Sequence, residues 1–133
     1  AKKEMIKDFL IINCTGDNDK LGLRLNEEFF IHNFEKQINN DILALTIKNF
    51  LKKHKVDVDD NFSVMINSGP GSFSSIRVAL SVAKGMKISK KIRLFGFQDE
   101  DLPAFTLENI ENLIKKNLLE KNLIKPIYLN KTY

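Results

Sequence analysis

Phe62–Lys87, FSVMINSGPGSFSSIRVALSVAKGMK, decides the fold. An apolar run, Phe62 to Asn67, reads as a strand. Gly69, Pro70 and Gly71 break it, and from about Ser72 to Lys87 the apolar residues recur with helical spacing. Upstream, Phe9 to Asn13 is a short apolar run consistent with a strand buried on both faces. Thr15 to Lys20 has turn chemistry, Leu21 to Leu25 alternates with period two, and after a turn at Asn26 and Glu27, Phe29 to Asn33 gives a third strand. Ile38 to Lys53 has the longer helical period, with Lys52 and Lys53 suited to the negative end of its dipole. Downstream, Ile92 to Phe97 is a fifth strand, Leu107 to Leu119 an amphipathic helix, and Ile127 and Tyr128 a short strand-like end.

Three strands, helix, strand, helix, strand is a meander whose first strand is extended in parallel by two right-handed crossovers. This α/β order is that of a ribonuclease H-like domain, the building block of the actin-like ATPase (ASKHA) superfamily: a mixed five-stranded sheet with helices on both faces. Residues 1–133 are expected to form a single domain with its core at 9–98, a size that suits one domain and not two.

The balance of 43% hydrophobic and 29% charged residues is that of a globular chain and argues against disorder. Phe9 to Ile12 and Ile42 to Leu45, the longest apolar stretches, fall far short of the ~20 residues of a membrane span. Lys2, Lys3 and Lys7 precede an apolar run too short for a signal-peptide core, so a cytoplasmic location is expected. One cysteine, Cys14, fits a reducing compartment and excludes a Cys-rich zinc site. The net charge is +4, but only Arg24, Arg77 and Arg93 are arginine, and the abundance of Asn and Ile is what an AT-rich genome would impose. Charge alone does not point to nucleic acid.

The first helix carries two apolar stripes on opposite sides. Leu43, Ile47, Phe50 and Leu51 form one, and Ile38, Ile42 and Leu45 the other; a helix covering a sheet needs only one. The second helix has an apolar arc running from Val78, Val82 and Met86 through Ala79 and Ala83 to Ile76, Leu80 and Phe73, leaving Arg77, Ser81, Lys84 and Gly85 solvated. Either the helices pack on each other and on the C-terminal helix, or they present a surface to another protein. On the second reading the partner interface is Ile38, Ile42, Leu45, Ile76, Leu80 and Ala83, with a second copy as the simplest occupant.

Catalytic groupings are scarce. The loop Gly69 to Ser75 could aim N–H groups at a phosphate, but Ile76 stands where the Gly-Lys-Ser/Thr of a Walker loop would begin, and the third glycine of a dinucleotide fingerprint is missing. His32 and His54 lack metal-ligand spacing and read as structural, and Cys14 has no evident base. A nuclease of this fold needs carboxylates at its strand ends, where the first strand has Asn13. No metal and no cofactor is expected.

Ser68 to Met86, SGPGSFSSIRVALSVAKGM, resembles the signature of the bacterial tRNA threonylcarbamoyladenosine biosynthesis family TsaB, also called YeaZ, at Gly69, Pro70, Gly71, Ser72, Phe73, Arg77, Ala83, Lys84 and Gly85. The resemblance covers roughly residues 9 to 98, and Pro126 to Leu129 is similar to the family's closing segment. It implies a non-catalytic subunit that dimerises with a metal-binding TsaD-like transferase paralogue, is joined by a TsaE-like ATPase, meets tRNA only indirectly, and forms homodimers through helices 38–53 and 72–87. The family's older glycoprotease-like label implies a metal protease, for which this chain has no ligand set. Ser74 and Ser75 replace the usual Thr-Gly, Ala79 a common glycine, and Asn13 the usual first-strand aspartate. The segment 99–133 is expected to replace a second lobe that is largely missing. Two other readings stay open: a small phosphate- or nucleotide-binding hydrolase using residues 69–75, and direct tRNA binding through Lys84, Lys87, Lys90, Lys91 and Arg93.

Overall fold

In the computed structural model, which describes residues 6–121 and 124–129, strand β1 (Phe9–Asn13) lies at the middle of a five-stranded sheet. It pairs antiparallel with β2 (Lys20–Leu25), which pairs antiparallel with β3 (Glu28–Asn33). On its other side it runs parallel to β4 (Ser63–Asn67), which runs parallel to β5 (Arg93–Phe97), giving the order β3-β2-β1-β4-β5. This central position explains the unbroken apolar run. Leu10 and Ile12 face one layer of core, with Leu21, Leu23, Val64 and Ile66, while Phe9 and Ile11 face the other, with Met65, Phe95 and Phe97. Truncating Ile11, which is fully buried, to alanine would cost about 2–5 kcal/mol.

Helices α1 (Asn40–Lys53) and α2 (Phe73–Lys90) cover the first layer, and α3 (Leu107–Lys115) closes the second with Ile110 and Leu113. The ribonuclease H-like order read from the sequence is the order observed. Element ends differ from expectation for local reasons. The first helix starts at Asn40 because the Asn39 side chain accepts a hydrogen bond from the Ile42 N–H at 2.8 Å, an N-cap that leaves Ile38 outside the helix. The second runs to Lys90 and stops where Lys91 turns left-handed. The last ends at Lys115 rather than Leu119, just before Asn117 takes φ 56°. The β2–β3 turn is at Asn26 and Glu27 as expected, both at positive φ, the backbone that matches the twist of a tight hairpin. Among the described residues no helix is long and apolar enough to cross a membrane. Lys2 and Lys3 lie outside the described residues.

Candidate functional site

Asn67, the last residue of β4, organises the glycine loop. Its side-chain oxygen accepts from the Gly69 N–H at 2.8 Å, and its amide nitrogen donates to Oδ1 of Asn13 at 2.7 Å and of Asp99 at 3.0 Å. The strand ends that would hold two carboxylates for a metal thus hold an amide network with one carboxylate. Among the described residues no group of three His, Cys, Asp or Glu is placed to hold a metal ion.

The loop is strapped from outside by the closing segment. Ile127 N–H donates to Ser68 C=O at 2.7 Å, Gly71 N–H to Ile127 C=O at 3.2 Å, and Leu129 N–H to Gly71 C=O at 2.8 Å. Gly69 has φ +109°, and a Cβ there would overlap the Ile127 carbonyl oxygen, so only glycine suits both the backbone and the contact. Ser72 caps α2, its Oγ accepting from the Ser75 N–H, and its own N–H donates to Thr15 C=O at 2.9 Å. Four donors a phosphate would need, on Gly69, Gly71, Ser72 and Ser75, are therefore spent within the chain.

The remaining candidate reactive groups are also occupied. Cys14 is fully buried, and burial first, then the nearby Asp19 charge, pushes its thiol far up, which keeps it protonated and unreactive. Asp19 is itself buried, and burial raises its carboxyl while the Gly16 N–H, donating at 2.8 Å, pulls the other way. His32 and His54 meet on one aromatic cluster between β3 and α1. His54 stacks on Phe30 at 4.0 Å and lies edge-on to Phe50, and His32 packs on Phe34 and Phe50. Their joint placement depends on strand β3 meeting the end of α1, which no local pattern reveals.

The six residues expected at a partner interface divide. Ile42 and Leu45 stand outward, 42% and 58% exposed, while Leu43, Ile47, Phe50 and Leu51 cover the sheet as expected. Ile38, Ile76, Leu80 and Ala83 are instead buried within the chain. The reason is geometric: the sheet takes the middle of the α2 apolar arc, and Ile38 precedes the cap and packs into the same core. Val78, Val82 and Met86, half-buried, form the flank of that arc left at the edge of the core. Between the two helices lies a groove of about 990 Å³, floored by Ile47, Leu51, Val56, Val82 and Met86, and bordered by Lys48, Lys52, Lys55 and Lys90. The sequence reading missed this groove; Val56 and Val58, alternating just past α1, were its available signal.

Of the motif positions, Gly69, Pro70, Gly71 and Ser72 build the loop. Phe73 is exposed beside it, its ring 4.8 Å from that of Tyr128 and covered by the Arg77 guanidinium at 4.9 Å. Lys84 and Gly85 are exposed on α2, Gly85 along the groove, and a Cβ at Gly85 would meet nothing within 4 Å. Lys87, Lys90 and Lys91 are exposed nearby, whereas Arg93 is only half-exposed and donates to Asn61 C=O at 3.0 Å.

The family described as TsaD, tRNA N6-adenosine threonylcarbamoyltransferase, matches residues 37–105, which contain α1, β4, the loop, α2 and β5. The chain is similar to the tRNA threonylcarbamoyladenosine biosynthesis protein TsaB of Buchnera aphidicola from Acyrthosiphon pisum, 30% identical over 91 residues, covering 65% of this chain and 41% of that protein. It is 34% identical over 64 residues to the TsaB of Buchnera aphidicola from Schizaphis graminum, covering 48% and 30% respectively. The chain thus spans less than half the length of the curated relatives it matches. Among solved structures, YeaZ from Pseudomonas aeruginosa superposes with a TM-score of 0.65 at 15% identity, over 73% of this chain and 46% of that one, a likeness of fold.

Proposed function

The chain belongs to the TsaD family, as a TsaB/YeaZ-like member, and on that premise we propose that it serves tRNA threonylcarbamoyladenosine biosynthesis as a scaffold and activator without chemistry of its own. Its partner on this reading is a TsaD-like transferase paralogue docked on the outer face of α1 and the flank of α2. A TsaE-like ATPase joins that complex, tRNA is met through it, and the setting is the cytoplasm. Without the paralogue, a second copy is the competing occupant of the same face.

The observation that carries the reading is the outward pair Ile42 and Leu45. Large apolar side chains on a helix whose opposite stripe already covers the sheet gain little from the fold of their own chain, and gain about 25 cal/mol for each Å² of apolar surface a partner covers. Ile38, Ile76, Leu80 and Ala83, being buried within the chain, are not part of that face. The glycine loop argues for the same division of labour, because its donors hold Thr15, Asn67 and Ile127.

The test is the affinity of this chain for the purified TsaD-like paralogue from the same cell, measured for the wild type and for Leu45→Asp. The variant is expected to bind far more weakly while melting at the same temperature. Equal binding would remove this face from the interface. Calorimetry with ATP is expected to give no heat of binding, and saturable heat would restore the hydrolase reading of residues 69–75.

A further inference from the structure

The groove between α1 and α2 carries a second kind of information, because its border is charged with one sign. Lys48 and Lys52 on α1, Lys55 just beyond it and Lys90 at the end of α2 all line it, and Asp57 is the single acidic residue that does. The four lysines are exposed, and none has an ion-pair partner among the described residues. The floor between them is apolar. A cleft with an apolar base and cationic borders is complementary to an amphipathic helix whose apolar face fills the base and whose flanks bear carboxylates.

Resting on the docking reading above, we infer that the partner segment seated in this groove is an apolar helix flanked by Asp and Glu, and that this charge selects the partner over a second copy of the chain. In an interface between two copies related by a two-fold axis, the same patch meets itself. The lysines of one copy would then face those of the other, with one Asp57 on each side to offset them. Leu45 of the outward stripe lies one turn from Lys48 on the groove's border, so one partner can reach from stripe to groove. The apolar stripe gives such a partner its affinity. The lysine border decides whose helix is accepted, by repelling its own copy as well as attracting the acidic one.

The two occupants therefore respond to salt with opposite signs, since screening weakens attraction and repulsion alike. Affinity for the paralogue is to be measured at 50 and 500 mM NaCl beside self-association of the chain alone by sedimentation, for the wild type and for the triple variant Lys48→Gln, Lys52→Gln, Lys90→Gln. High salt should weaken pairing with the paralogue about tenfold and tighten self-association, and the triple variant at low salt should shift both in the same directions. All three positions are exposed, and a melting curve confirms that the variant is folded. If pairing with the paralogue ignores both salt and the triple substitution while Leu45→Asp still abolishes it, the acidic partner is wrong and the docking reading stands. If Leu45→Asp is silent as well, both fall. Self-association that tightens as salt is removed also overturns the selection by charge.

Discussion

The loop side of the molecule and the outer side of its helix pair have spent their interaction capacity very differently. At the loop, the N–H groups of Gly69, Gly71, Ser72 and Ser75 all have partners, and the adjoining α2 arc of Ile76, Leu80 and Ala83 is buried. On the outer side of the helix pair, Ile42 and Leu45 face solvent, the groove has an apolar floor, and its lysines are unpaired among the described residues. The difference separates two uses of a surface: a satisfied loop stabilises the fold, and the surface left unsatisfied is the one another molecule can still stabilise.

One carboxylate introduced on each side breaks this comparison most sharply. Leu80→Asp forces a charge into a closed core without a partner and is expected to cost about 4 kcal/mol or more, enough to abolish cooperative unfolding in a domain of this size. Circular dichroism during urea unfolding measures it, and a native-like midpoint would mean that α2 does not sit on the sheet as described. Gly69→Ala attacks the loop side through its backbone. The new Cβ is strained at φ +109° and meets the Ile127 carbonyl, so the strap must leave. The expected loss is about 3 kcal/mol, made up of local strain and the hydrogen bonds to Ile127 and Leu129. An unchanged urea midpoint would show that the strap contributes nothing.

Much of this contrast was legible in the sequence, up to the point where two helices looked alike. Period-two alternation in Leu21 to Leu25 and the apolar run Phe9 to Ile12 placed the strands because a side chain on a strand has only two faces to choose between. Helix α1, with two separate stripes, showed that one of them needs a cover other than the sheet, though not which one, and Ile38 of the stripe read as outward lies inside. Helix α2 showed not even that: its apolar residues form one wide arc, and which part of that arc meets the sheet is set by the direction in which the crossover returns. Ile76, Leu80 and Ala83 were accordingly placed outside when they lie inside. The strap was legible only as a strand-like end at Ile127 and Tyr128, since its partners, Ser68 and Gly71, lie far away in the chain and pairing across such a separation leaves no local periodicity. The histidine cluster escaped for the same reason.

On the open side, Leu45→Asp should leave stability within about 0.5 kcal/mol of the wild type while weakening pairing with the TsaD-like paralogue roughly thirtyfold, or about 2 kcal/mol. The ratio of the two effects is the informative quantity. A variant that loses stability and pairing in proportion would place Leu45 in the core and erase the distinction between the two sides.

The smallest effect belongs to Asp19, a buried carboxylate close to the loop side. Burial holds its carboxyl above the usual carboxylate range and Asp17 adds to the rise, against the N–H groups of Gly16 and Thr15. The folded chain therefore binds the Asp19 proton more tightly than the unfolded chain does. The stability this residue contributes is fully present below the ordinary carboxylate pKa and is lost as pH rises through the raised one. Asp19→Asn keeps an oxygen to accept from the Gly16 N–H, donating at 2.8 Å in the wild type, and removes the desolvated charge. Relative to the wild type, the variant should gain stability between pH 4 and pH 7, by no more than about 0.5 kcal/mol at neutrality. Paired urea titrations at the two pH values measure the difference. A variant that instead loses ground at pH 7 would mean that the ionised carboxylate is held by its N–H donors more firmly than burial penalises it, and that the loop side draws on charge as well as on neutral hydrogen bonds.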